Sequence, residues 1–413
     1  MTNEPNNTNT NSEHNQPQTT MNEAEYDDFI FTKYHGRRRN LFSETSPNHN
    51  TVSYSSSNHF VKDVHRKKKK PLWQKLLIIL GFILAGILTL AIIAIVAFFI
   101  MKQSGLSQLT NAEVNMTAPI IENAGVSVDN SKNTITYQGK TYTYNSDMTS
   151  ILCMGIDKRE GLGLNDEVVG TGGQADALYL VALDTKTGET DIIAISRDIY
   201  SDISVYSDTG QYVGTENAQL CLAYAYGDGK ETSCENTVDA VSRLFYNLPI
   251  NSYFALEMDA IGKLNDAVGG VTVTLTDDYL YHSMGLGTAG ETVRLYGEQA
   301  RAFLQYRNVD ELNSSVDRMN RQIQYLQGFT KNAIDMTKAD LSTPITLFGI
   351  VQDYSVTNLN ASKISALGYT VATANAEVEF QKVPGEVIHN GEYAEYVVNE
   401  QGMLELILDI YYE

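Results

Sequence analysis

An α/β fold is what this sequence predicts: an α/β/α sandwich around a central mixed sheet, preceded by one transmembrane helix and a disordered N-terminal tail. Three observations predict it. Of the 413 residues, Leu72 to Met101 form an almost wholly apolar run. The residues before that run are rich in Asn, Thr, Ser and His and have almost no apolar periodicity. From about residue 150 onward, short β-rich runs alternate with helical patterns, as expected of strands and helices layered in one domain.

Residues 1–71 cannot bury enough apolar surface to offset chain entropy, so they are expected to be a disordered tail. The tail ends in Arg66-Lys67-Lys68-Lys69-Lys70. By the positive-inside rule this basic run stays in the cytoplasm, which puts the chain beyond the span outside a plasma membrane crossed once. Arg37-Arg38-Arg39 and the lysines serve as a topology signal, with recruitment of anionic lipid as the other reading. The span, 72–101, exceeds the roughly 20 residues that cross a bilayer core. It is too long and too far from the start for a signal peptide. Trp73 fits an interfacial anchor.

Residues 102–147 form a connector. Within it Thr134–Tyr137 and Thr141–Tyr144 alternate about Gly139, the pattern of a hairpin. The main domain spans 148–413. Its first strands are expected at Ile151–Ile156, Ala177–Asp184 and Glu189–Ile195, the last two joined by the turn Asp184–Gly188. Helical spacing follows at Ala218–Tyr226 and Glu235–Leu248, then a strand at Val271–Leu275 entered through Gly269-Gly270. Gly297–Leu304 and the long amphipathic Val316–Met336 read as helices, and Leu264 and Val268 as core residues.

Beyond residue 102 there are 18 Lys and Arg against 42 Asp and Glu, a net charge of −24. Nucleic acid is excluded as a partner for so acidic a domain. Yet its arginines cluster. Arg197-Asp198 ends a strand, and Arg318, Arg321 and Gln322 lie at i, i+3 and i+4 of a helix, with Arg307 approaching from the loop before it. A guanidinium fork matches phosphate oxygens with paired hydrogen bonds, so the clusters predict a pocket for a compact anion. Asp157 and Arg159 follow another strand end, and Asp176 opens the next. Two such carboxylates suit Mg²⁺, which completes its octahedron with water and phosphate. The alternative is that Asp157 and Asp176 cap a loop and a strand. Of the three cysteines, Cys153 lies in a strand, while Cys221 and Cys234 flank a turn and allow either a small disulfide or free thiols.

These blocks, in order, resemble the LytR–CpsA–Psr family of glycopolymer transferases. The matching residues are Gly155-Ile156-Asp157-Lys158-Arg159, Ala175-Asp176-Ala177, Ile195-Ser196-Arg197-Asp198, Leu222-Ala223-Tyr224, Leu264 through Val271, and Arg307 with Arg318-Met319-Asn320-Arg321-Gln322. The likeness covers roughly 148–385. It implies a sandwich with a hydrophobic lipid groove, and transfer of a glycan from a polyprenyl-pyrophosphate carrier to a hydroxyl of peptidoglycan. It further implies that Asp157 and Asp176 hold Mg²⁺ (or Mn²⁺), and that Arg197, Arg307, Arg318 and Gln322 grip the pyrophosphate. Arg159, Asp198 and Arg321 support them, with Asp198 as the candidate base. The chain departs from the family pattern at Gln174, Gln305 and Ser315. Two other functions share these residues: hydrolysis of the lipid pyrophosphate, and a non-catalytic module that binds lipid-linked glycan.

Overall fold

The computed structural model describes residues 71–413 apart from 111–112, 120, 122–124, 160, 166–167, 208, 309–312, 375 and 390–393. The tail expectation, save Pro71, therefore lies outside the described residues. Helix α1 (Leu72–Leu109) is unbroken over 38 residues, about 57 Å at the usual rise. It carries the apolar run on an uncovered surface and, among the described residues, is long and apolar enough to cross a membrane.

Three short strands follow, β1 (Ser127–Asp129), β2 (Thr134–Tyr137) and β3 (Lys140–Thr143), antiparallel in that order, with β2 and β3 the expected hairpin. Next come β4 (Met148–Ile156), β5 (Ala175–Asp184) and β6 (Thr190–Ile195), then the hairpin of β7 (Tyr200–Tyr206) and β8 (Tyr212–Gln219). Helices α2 (Leu222–Ala225) and α3 (Glu231–Leu244) lead to β9 (Ser252–Glu257), α4 (Asp259–Ala267), β10 (Val271–Thr274), α5 (Tyr279–Met284), β11 (Thr292–Leu295) and α6 (Glu298–Gln305). The chain ends with α7 (Ser314–Ala339), α8 (Thr343–Val351), β12 (Ser355–Thr357), α9 (Ala361–Thr373), β13 (Val378–Lys382), β14 (Gly385–His389), β15 (Ala394–Val398) and α10 (Glu400–Tyr411).

The centre is a six-stranded mixed sheet in the order β12-β9-β4-β5-β6-β13. Its β9–β4 and β6–β13 pairs are parallel and the other three antiparallel. Period-two alternation splits its side chains between two cores. Leu152, Met154 and Ile156 of β4, with Leu178 and Leu180 of β5, join a cluster containing Tyr224 of α2, Val241 of α3 and Leu404 of α10. The other face places Tyr179, Ile192 and Ala194 against Met319 of α7, and Ile151 against Leu109 and Leu359. A sheet covered on both faces is the predicted sandwich. Each fully buried aliphatic side chain such as Leu152 contributes roughly 1.5–3 kcal/mol.

Two expectations change, and one open alternative closes. Ala218 and Gln219 are not helical but finish β8, opposite Ser201 and Tyr200, and only Leu222–Ala225 turns into helix. Backbone pairing with β7 there overrides the apolar spacing. Leu264 is only partly covered; its neighbour Asn265 is the fully buried residue. The Asn265 side chain donates to Leu295 O at 2.8 Å and accepts from Val271 N–H at 3.1 Å, tying α4 to the β10–β11 pair. Val268 is core, as expected. Finally, Cys153, Cys221 and Cys234 are free thiols, with no Cys221–Cys234 bridge. Cys221 is pinned to the β6 end by its N–H to Arg197 O at 3.2 Å, whereas Cys234 faces the main core from α3. Burial pushes both thiols up, that of Cys221 to about 11.

Candidate functional site

Strand register assembles the site. Leu178 of β5 pairs with Ile195 of β6, so Asp176, two residues before one, meets Arg197, two residues after the other. Asp176 Oδ1 accepts a hydrogen bond from Arg197 Nη1, and Asp176 Oδ2 accepts from Arg318 Nη1 at 3.0 Å. Arg318 Nη2 also donates to the Asp176 carbonyl at 3.3 Å, which fixes the first turns of α7 against β5. Arg197 Nε reaches Asp198 Oδ1 at 3.3 Å. Arg318 and Asp198 are only 7% and 6% exposed. Charges so deeply covered persist only when paired, which each of these is.

Arg307 joins them from the segment after α6. Burial pushes its guanidinium down first, and the like charges of Arg197 and Arg318 push the same way, with Asp198 opposing. Burial and Arg197 act likewise on Arg318. Among the described residues no carboxylate pairs with Arg307. Arg197 and Arg318 thus share Asp176, Arg197 also holds Asp198, and Arg307 stands beside them without a carboxylate of its own. An anion with several oxygens would complete the group.

The other predicted residues are placed differently. Asp157 follows β4 and accepts the Gln174 N–H on Oδ1, while its own N–H goes to Gln174 O at 3.0 Å. Gln322 uses both ends of its amide as scaffold, accepting from the Tyr179 hydroxyl at 3.1 Å and donating to Leu304 O at 3.2 Å. Arg321 is buried, donates to Tyr306 O, lies 3.7 Å from Asp277 and sits over the Tyr306 ring at 5.3 Å. It therefore holds the backbone just before Arg307 and does not share Asp176. Arg159 turns to Asp259 at the start of α4, 2.8 Å away, with a half-exposed side chain.

An apolar groove of about 310 Å³ reaches Arg318 and its partner Asp176. Cys153, Tyr179, Phe254, Leu256, Met258, Ile261, Leu304, Leu326 and Phe329 line it together with Asp176, Arg318 and Gln322. Helix α7 follows it from Arg318 to Phe329, about 16 Å along the helix axis.

For a divalent cation the geometry offers two carboxylates at neighbouring strand ends. No cluster of three or more His, Cys, Asp or Glu suited to a metal occurs among the described residues. Asp157 has one oxygen engaged by an amide, but both oxygens of Asp176 are held by guanidiniums. A cation on Asp176 would compete with those guanidiniums for its oxygens.

Sequence reasoning missed Glu257, which ends β9 opposite Ile156, is 1% exposed and accepts the Gly161 N–H at 2.7 Å. Burial pushes its carboxyl up, Gly161 opposes, and Asp259 adds to the rise. An acid directly ending an alternating strand is the signal that marks it.

The LytR_cpsA_psr family matches residues 105–408, more of the chain than the motif blocks alone span. Two relatives carry the name polyisoprenyl-teichoic acid–peptidoglycan teichoic acid transferase TagU. The one from Bacillus licheniformis is 27% identical over 273 residues, 64% of this chain and 78% of its own. The one from Bacillus subtilis is 27% identical over 304 residues, 72% and 81%. Among solved structures, protein gbs0355 of Streptococcus agalactiae aligns with a TM-score of 0.52 at 21% identity, over 64% of this chain and 87% of that one, a likeness of fold.

Proposed function

This chain belongs to the LytR–CpsA–Psr family, and from that premise we propose that it transfers a glycopolymer from a polyprenyl-pyrophosphate carrier to a hydroxyl of peptidoglycan. One observation carries this reading. An apolar groove reaches Arg318, the buried arginine that shares Asp176 with Arg197 and lies in the field of Arg307. A lipid pyrophosphate needs both, a dry slot for the chain and cations for the phosphates.

Phosphoryl transfer asks mainly for positioning and charge stabilisation. The acceptor hydroxyl oxygen attacks the phosphorus that bears the glycan. A new P–O bond forms, the bridging P–O bond breaks, and polyprenyl phosphate departs. Asp198, bonded to Arg197 Nε, would take the hydroxyl proton. Arg197, Arg307 and Arg318 hold the phosphate oxygens, while Arg321 fixes the approach of Arg307 through Tyr306 O. On this reading the incoming phosphates draw Arg197 and Arg318 away from Asp176. Mg²⁺ (or Mn²⁺) on Asp157 and the released Asp176 would add charge stabilisation at the phosphates. Helix α1 anchors the chain in the membrane, and the basic run before it places the main domain outside the cell.

The test uses the full chain in liposomes with a polyprenyl-pyrophosphate glycan, Mg²⁺ and peptidoglycan, with Arg197→Ala as control. Release of polyprenyl phosphate and attachment of glycan are both followed. Attachment that is lost in the variant supports the transferase. Release without attachment would make the chain a hydrolase, and donor binding with neither product a binding module.

A further inference from the structure

Helix α1 does not end in a flexible stalk; its last turns pack along α9. Phe98 and Phe99 meet the Tyr369 ring edge-on at 5.6 and 6.2 Å, and the Lys102 ammonium lies 4.0 Å from that ring's centre. One helical repeat further on, Gly105 lies so close to Ser362 and Ala366 that no larger residue would fit, and Leu109 is buried with Leu359. The two helices run antiparallel, so each α9 residue can be placed at a level along the anchor. Tyr369 marks the level of Phe98 to Lys102, where the apolar run gives way to polar residues.

Gly368, beside Tyr369, is covered by Pro344 at the start of α8. That contact sets the α7–α8 turn at the same level as the end of the apolar run. The turn presents exposed apolar side chains, with the exposed Lys338 and Asp340 beside them. Met336, Leu341 and Ile345 are exposed by 37%, 44% and 37%. Helix α8 (TPITLFGIV) contains no charged residue. An apolar surface of this kind, level with the exit of a membrane helix, matches a segment seated at the boundary of headgroups and acyl chains.

We propose that the α7–α8 turn is a second membrane contact, with Leu341 and Ile345 entering the leaflet from which α1 emerges. Leu347 of α8 packs in the same cluster as Ile261 and Phe329, which also line the groove. The contact therefore brings the groove's Phe329 end next to lipid. The inference rests on the reading of α1 as a span.

The experiment places a single tryptophan in the full chain reconstituted in phosphatidylcholine–phosphatidylglycerol vesicles with or without brominated acyl chains. In a Trp73→Phe background, Leu341→Trp and Ile345→Trp are compared with Tyr212→Trp on the exposed β7–β8 hairpin. Brominated chains should cut the emission of the tryptophans at 341 and 345 and leave that at 212 unchanged. Emission at 341 and 345 no more quenched than at 212 overturns the contact. Native Trp73 is the separate check on the span: if it also escapes quenching, the anchor reading fails and this inference with it. A Leu341→Asp, Ile345→Asp double variant adds a functional arm. It should slow turnover of a long-chain donor in vesicles and spare a short-chain donor in solution; equal loss on both would also overturn the proposal.

Discussion

Asp176 and Arg318, 142 positions apart in sequence, meet through Oδ2 and Nη1 at 3.0 Å, while the other Asp176 oxygen holds Arg197. One carboxylate thus holds two guanidiniums at once, one on each oxygen. Asp176 is both their organiser and a competitor for them.

Replacing Asp176 with Asn should separate those roles. Isothermal titration without metal should show Asp176→Asn binding inorganic pyrophosphate more tightly than the unaltered chain, since its arginines are no longer engaged by a full negative charge. Turnover should fall on the order of 10²-fold, the scale of losing a preorganised charge contact. Weaker metal-free binding would mean that Asp176 does not compete with the anion.

Arg307 and Arg318 should respond in opposite ways. Arg318 is buried and paired, so Arg318→Ala should destabilise the chain by roughly 1–3 kcal/mol, because Asp176 loses one of its two guanidinium partners. No acid among the described residues pairs with Arg307. Arg307→Ala should leave the melting temperature nearly unchanged while turnover drops about 10²-fold. Thermal melts beside product assays separate the two, and equal melting losses would contradict this assignment.

The β5–β6 turn predicts a pH dependence. Burial alone would push the Asp184 carboxyl up, but the Thr187 N–H, the Asn145 amide and the Lys186 N–H outweigh it and hold it below the usual range. A depressed carboxyl stabilises the fold above the unfolded-state value of about 3.9 and loses that contribution as pH falls through the folded value. Asp184→Asn should cost about 1–2 kcal/mol at pH 7. The gap in denaturant midpoints should close as the pH is taken below 4; a gap independent of pH would assign the loss to packing.

Gly105 gives a test of the anchor's seating. Gly105→Leu drives a side chain into Ser362 and the Ala366 methyl, 2.9 Å from where the new Cβ would stand. Overpacking of this kind costs roughly 1–3 kcal/mol. The full chain in detergent should melt lower and exchange the α9 amides faster. Unchanged exchange in α9 would show that α1 does not hold it.

Local chemistry made much of the fold readable. The Asp184 to Gly188 turn, the hairpin around Gly139 and the strands Ile151–Ile156 and Glu189–Ile195 all declare themselves by alternation and turn residues within a few positions. The reading of Ala218–Tyr226 as helix failed because what decides it is pairing with Tyr200 and Ser201, which no window of ten residues contains. Asn265 was overlooked for a related reason: a polar residue looks like surface until Leu295 O and the Val271 N–H arrive to satisfy it. In the site, clustering alone singled out Arg197, Arg307 and Arg318. It could not separate Arg159, whose ion pair is with Asp259 a hundred positions away, from the arginines that share Asp176.

The seating of α1 along α9 also changes how such a molecule would find its substrates. A domain on a loose tether samples a hemisphere above the bilayer, and its reach is set by linker entropy. Here one unbroken helix runs from Leu72 to Leu109 into the body, so under the proposed anchoring height and tilt would be fixed together. Encounters would then be two-dimensional, a search by lateral drift past carriers confined to the same sheet of lipid. The second reactant would have to come within a constant working distance, since the body cannot stretch to meet it.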